Sequence, residues 1–433
     1  MLCAMPRPIL MALLHRRPRG TRGAAGDRQR RAERGHRRHP HAPGARPRGG
    51  GRSGGGTAGG TGQRVTARAP PGDPRRRADV RRAHRPAVRR DDPHRPPRAR
   101  ARGADDGRGG ATRMLREQYL LPYDAAGLWD YARAQFDATV RELEALAQTI
   151  DPSKTWRQIA DEVKQDHPDP LRMIGAHQEV VDKARAHLVS HDLMSLPWPE
   201  TCTVVRRVPT PGNNPYYGNF SGATSRPPAP DGTLRGEWHI NPFLPEWDEP
   251  TKRDYLLEHD WGVIYVTAPH ETYGGHHVQI IYQMHNPRPL RQRQGTPMFS
   301  EGWGLYNEQL FQETGFLPSP RIHLRQLQLR LWRNARVIYD VGMQTGRMTR
   351  DQAIALMTDQ VGFLRWAAEA EIDSALDRPG YFIGYFMGMS EILKMREEYK
   401  AKVGAAFTLK DFHDRLLRIG SMPPALVREA LLR

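Results

Sequence analysis

The chain has 433 residues, with 66 Lys and Arg against 48 Asp and Glu, a formal net charge of +18 and two cysteines, Cys3 and Cys202. Two cysteines exclude a disulfide framework, and no run reaches the 18 or more apolar residues of a membrane helix. The charge suggests nucleic acid or an anionic surface, but residues 1–113 hold 30 Arg, no Lys and 8 acids, net +22, whereas residues 114–433 hold 36 basic and 40 acidic residues, net −4.

Residues 1–113 contain no Phe, Trp, Tyr, Lys or Asn. Such a segment buries too little apolar surface to offset its ordering entropy, so it reads as a disordered leader. Three origins stay open. It is a basic arm that binds nucleic acid, an Arg-rich targeting segment, or a GC-rich stretch read in a wrong frame or from a wrong start. In the third case the true protein has a longer N-terminal half. Pro8–Leu14 is apolar but short and lacks a cleavage site, so no signal peptide is assigned and the default location is cytoplasmic.

From Met114 to Arg433 the composition is that of one large domain with a real core. Leu128, Tyr131, Phe136, Val140, Leu143 and Leu146 predict a helix over 124–150. Shorter helices follow at 156–163 and from Asp169 to about Leu188. Thr201–Val205 and Gly236–Pro242 read as strands of a small β hairpin, joined by a Pro/Gly/Asn-rich loop over Thr210–Gly232 that contains Pro215-Tyr216-Tyr217-Gly218. His239 and Asn241 on the second strand can face a substrate, although a structural histidine is the simpler reading. A helix over 248–258 leads to one that carries His270. Helices are expected at 300–314, 320–346, 349–376, 381–403, 408–419 and 423–432. The fold class is mainly α, a multi-helical domain with a small β hairpin, preceded by the leader.

The stretch His270-Glu271-Thr272-Tyr273-Gly274-Gly275-His276-His277 and the later Glu301-Gly302-Trp303 carry the chemistry. On an unbroken helix His270 and His276 lie about 240° apart, and His277 sits about 10 Å along the axis from His270. Neither pair chelates from a regular helix. A helix ending near Tyr273, broken at Gly274-Gly275, brings His276 back beside His270. Glu301 is the natural third ligand. Two His and one Glu with an open fourth position form a catalytic zinc arrangement, with one Zn2+ per chain. Glu271 is placed to take a proton from the attacking water. His277 points elsewhere, toward the ligands' surroundings or the substrate. Tyr385, Tyr381 and Arg378 are candidates to stabilise an oxyanion. His413 reads as structural. The competing readings of the whole motif are a buried polar network and a site that has lost its metal.

The segment resembles the bacterial family called domain of unknown function 885. Its members carry H-E-x-x-P-G-H-(H/x)-x-Q followed by E-G-W-x-x-Y, and they look like relatives of the gluzincin zinc metallopeptidases. The match runs through His270-Glu271, Gly275-His276-His277, Gln279, Glu301-Gly302-Trp303 and Tyr306. It continues through Asp340-Val341-Gly342, Pro379-Gly380 with Tyr385 and Gly388, Phe412-His413-Asp414 and Gly420–Pro423. The resemblance implies that His270, His276 and Glu301 ligate the metal and that Glu271 is the base. Departures are Gly274 for Pro, Gln344 for a His, Ser374-Ala375 for Arg-Tyr and Tyr381 for Gln. The expected function is zinc-dependent hydrolysis of a peptide or small amide. The alternatives are an inactive peptide-binding member of the same fold and nucleic-acid binding through the leader; no nucleic acid is expected for 114–433.

Overall fold

The computed structural model describes residues 107–208, 219–225 and 227–433, all within one compact unit, Pro96–Arg433. Residues 1–106 of the expected leader lie outside the described residues. Its last seven residues are already helical, as α1 (Gly107–Arg113), and Ala111 is buried.

α2 (Ala125–Ile150) starts where the Asp124 carboxylate caps the Gly127 amide. Its buried residues, Leu128, Ala132, Phe136, Thr139, Leu143 and Ala147, recur every three or four positions and form one apolar face. α3 (Trp156–Val163) opens with a capping box between Thr155 and Gln158. A short 3-10 turn at Pro170–Arg172 precedes α4 (Met173–Ser190).

Three strands follow: β1 (Glu200–Arg206), β2 (Asn219–Ser221) and β3 (Leu234–Ile240). Here the expected hairpin is corrected. β1 and β3 are neighbours but run parallel, Glu200 beside Leu234 through Arg206 beside Ile240, and β2 pairs antiparallel with β3. Parallel neighbours need a crossover rather than a tight turn. Residues 207–233 make that connection, and Pro215–Gly218 within it lie outside the described residues. The sheet lies on α4, where Gln178 Oε1 accepts from the Val204 amide at 2.7 Å. His239 sits half-buried on β3, 3.3 Å from Glu237.

The rest is helical: α5 (Glu249–Leu257), α6 (Trp261–Glu271), α7 (His276–Met284), α8 (Pro289–Arg293), α9 (Pro297–Glu313), α10 (Pro320–Gln344), α11 (Arg350–Ala355), α12 (Arg365–Asp377), α13 (Ile383–Val403), α14 (Leu409–Ile419) and α15 (Pro424–Leu432). The single helix expected over 349–376 is three pieces. A π-turn at Leu356–Val361 ends at Gly362, whose φ of 85° closes the turn before α12. α10 is the spine and is buried on nearly every side. Its buried cations are each paired: Arg325 with Asp260, Arg333 with Glu308, Arg336 with Glu371. α9 and α13 approach to backbone contact, since a Cβ at Gly302 would stand 2.5 Å from the Gly388 backbone. No described helix is long and apolar enough to cross a membrane.

Candidate metal centre and its cavity

The buried Asp260 caps α6 by accepting from the Val263 amide at 3.0 Å. α6 ends at Glu271 and α7 begins at His276, so four residues break the motif. Gly274 takes φ 102°, and Gly275 passes so close to the preceding turn that a Cβ there would lie 1.8 Å from the His270 carbonyl oxygen. The break folds His276 back, and its ring meets that of His270 edge-on at a centroid distance of 4.9 Å.

Glu301, in the second turn of α9, meets both rings. Its Oε2 lies 3.6 Å from His270 Nε2 and 3.4 Å from His276 Nε2. The three ligating atoms of His270, His276 and Glu301 all fall within 4.8 Å of one another. The other carboxylate oxygen, Oε1, accepts from the Tyr381 hydroxyl. Gly304, one turn past Glu301, leaves room for the imidazole, because a Cβ there would stand 2.6 Å from the His270 ring.

Two groups behind His270 were not expected from the sequence. Its Nδ1 lies 2.8 Å from Glu308 Oε1, and Arg333 Nη2 donates to the same oxygen at 3.2 Å. A carboxylate only accepts, so Nδ1 carries a proton toward Glu308, and Nε2 is the nitrogen that faces Glu301. The signal lay in the spacing. Glu301, Gly304 and Glu308 recur at three and four residues, which places them on one face of α9.

Burial works against charge on His270, but the Glu301 and Glu308 carboxylates outweigh it and raise its pKa to about 9. Burial also disfavours the Glu301 carboxylate, yet the His270 and His276 contacts hold it well below its usual range. The bare cluster is therefore an ion-paired network, and any metal that enters displaces a proton from His270.

The other expected residues divide. The Tyr385 ring stacks on His270 at 6.2 Å, with the Arg336 guanidinium 4.1 Å above its face. Burial, with Glu301 nearby, raises the Tyr385 and Tyr381 phenols, so both remain proton donors at neutral pH. Glu271 lines the cavity beside His270. His277 turns away as expected, placing Nε2 2.9 Å from Glu200 on β1, an oxygen it shares with the Tyr273 hydroxyl. Arg378 is exposed at the cavity rim, bonded to Ser374 at 2.6 Å and lying over the Tyr381 ring. His413 is fully buried between the Leu193 carbonyl and the Tyr306 hydroxyl, a structural position.

The cavity has a volume of about 610 Å³, within the range of small-ligand sites. Two helices face it with regular stripes. α6 contributes Val263, Thr267, His270 and Glu271, and α10 contributes Leu329, Trp332, Arg333 and Arg336. α12 closes it with Glu371, Ser374 and Asp377, and Trp238 of β3 lines it as well.

Two solved structures share this fold. One, from Shewanella oneidensis, is described as a candidate lipoprotein of unknown function. It superposes with a TM-score of 0.64 at 22% identity, over 77% of this chain and 61% of its own. The other, described as a candidate lipoprotein from Colwellia psychrerythraea, gives a TM-score of 0.65 at 23% identity, over 76% of this chain and 55% of its own. The chain thus spans less than two thirds of either protein's length. None of the curated proteins compared with it matches. The family described as "Bacterial protein of unknown function (DUF885)" matches residues 72–431, and the chain belongs to that family.

Proposed function

We propose that the chain is a zinc-dependent hydrolase of peptide or similar amide bonds. One observation carries the reading: His270, His276 and Glu301 bring their donor atoms within 4.8 Å of one another, and His270 lines a cavity together with Glu271. Donors about 2.0–2.2 Å from a tetrahedral ion stand roughly 3.3–3.5 Å apart, and the two imidazole-to-Glu301 separations, 3.4 and 3.6 Å, already approach that. Two imidazoles and one carboxylate also leave a fourth position for substrate or water. The residues fit the ion.

Zinc bound there supplies Lewis acidity toward the amide carbonyl and the attacking water. The chain's own groups do the rest. Glu308 holds the His270 tautomer through Nδ1, and Tyr381 fixes the Glu301 carboxylate through Oε1. Glu271 accepts the water's proton and returns it to the leaving nitrogen. The Tyr385 hydroxyl, beside His270, donates to the oxyanion as it forms.

Elemental analysis and a peptide-library digest of purified protein test the reading. About one zinc per chain is expected, lost in His276→Ala and Glu301→Ala and kept in His277→Ala. Glu271→Gln should keep the zinc and lose cleavage by about 10²–10⁴-fold. A folded protein that takes up no zinc overturns the reading. Zinc with peptide binding and no cleavage by the wild type would instead make it a peptide-binding protein.

A further inference from the structure

The cavity runs along α6, from His259 just ahead of its first turn to Glu271 at its last. Eleven helical residues at 1.5 Å each make that path about 16 Å long. Its far end carries no part in the mechanism above, yet it is chemically distinctive.

Two buried imidazoles stand there. His177 Nδ1 lies 2.8 Å from the Met173 carbonyl, and His259 Nδ1 lies 2.8 Å from the Tyr255 carbonyl. A carbonyl only accepts, so in both rings Nδ1 carries the proton and Nε2 keeps its lone pair. Burial keeps the rings neutral, lowering His177 to about 3 and His259 to about 4. The two residues are 2% and 4% exposed, their ring centroids lie 6.0 Å apart, and both line the cavity. Among the described residues no protein group donates to either Nε2. Glu258, the neighbour of His259, lines the same wall, as does the Trp238 ring, edge-on to His177 at 5.1 Å.

A wall of acceptors selects a donor. These groups are not a second metal site, because among the described residues only His270, His276 and Glu301 bring three such atoms within 4.8 Å. We propose that this end of the cavity binds a primary ammonium of a short peptide substrate, the His177 and His259 Nε2 atoms and the Glu258 carboxylate accepting its N–H bonds beside the Trp238 ring. The substrate class rests on the hydrolase reading. At about 3.3 Å per extended residue, 16 Å holds four or five residues. The ammonium therefore sits that far along the peptide from the bond at Glu271, and it is either the α-ammonium or a lysine side chain.

Calorimetric titration of the full chain, both zinc-loaded Glu271→Gln and chelator-treated wild type, tests this with three probes: pentaalanine, N-acetyl-pentaalanine, and N-acetyl-Lys followed by four alanines. A probe with an ammonium should bind about tenfold or more tighter than N-acetyl-pentaalanine, the value of one charge-assisted hydrogen bond. Whether pentaalanine or the lysine probe gains identifies the source. His177→Phe and Glu258→Gln should bring the probes within about twofold. Equal affinity for all three, or no binding up to millimolar concentration, overturns the inference. If zinc binds and peptides are cleaved without this preference, the hydrolase reading stands and the ammonium site falls. If the preference survives in protein that never cleaves, the site stands and the hydrolase reading falls.

Discussion

Glu308 Oε1 serves two donors at once, His270 Nδ1 and Arg333 Nη2, while its second oxygen is buried with no hydrogen-bond partner. A carboxylate placed this way fixes the ligand's tautomer and adds to its basicity. Glu308→Gln keeps the shape and removes the charge. Its zinc affinity should drop about 10–100-fold while the fold holds, as competition with a chromogenic chelator measures. The sequence placed His270, His276 and Glu301 because imidazoles and carboxylates in a Gly-broken motif have few other uses. It missed Glu308, Arg333, His177 and His259. Spacing on α9 puts Glu308 on the face of Glu301, but the meeting of Glu308 with His270 and Arg333, and of His177 with His259, depends on pairings between elements that no local spacing encodes. Tyr381, a candidate for the oxyanion, for the substrate or for a contact that supports a ligand, meets Glu301 through its hydroxyl.

At the scale of the element, the break over 272–275 decides whether the centre exists. Gly275→Ala drives a Cβ into the His270 carbonyl, backbone against backbone. It should destabilise the protein by about 2 kcal/mol or more and weaken zinc binding with it, read by urea unfolding and metal titration. The turn from α12 to α13 is tied to α10 by Asp340, which accepts from the Gly380 amide at 2.9 Å. Burial raises the Asp340 pKa to about 7, even though the Gly380 amide and Gln344 pull it down. The folded state then holds a proton that the unfolded chain releases near pH 4. Stability from this group is full below that point and lost as pH rises toward about 7. Asp340→Asn should flatten that decline, visible as a smaller change in the urea midpoint between pH 4.5 and 7.5. Helices such as α2 were legible because their apolar faces repeat every three or four residues. The split of α11 from α12 was not, because Gly362 reads as tolerated in a helix until its φ is known. The strand direction was hidden for the same kind of reason, since β1 and β3 pair across a connection whose path the local pattern does not fix.

For the whole molecule, a ligand that binds only the folded state stabilises it by mass action. Zinc at a hundred times its dissociation constant should add about 2.7 kcal/mol, and EDTA should remove that gain, read as a fall in Tm. The apolar core runs without interruption from Ala111 of α1 to Leu431 of α15, so this gain should appear in one cooperative transition rather than two. The backbone contact between Gly302 of α9 and Gly388 of α13 bears on how the cavity is entered. Two helices locked at that distance cannot slide past one another without a clash, so α9, which carries Glu301, and α13, which gives the cavity Tyr385, should move as a single body. Breathing of the cavity should then fall to α12, which is held to α10 through Glu371 and bounded by the Gly362 turn and the exposed Arg378. Deuterium should enter α12 amides through local opening while α9 and α13 exchange only when the entire core comes apart. A bound peptide should slow α12 alone.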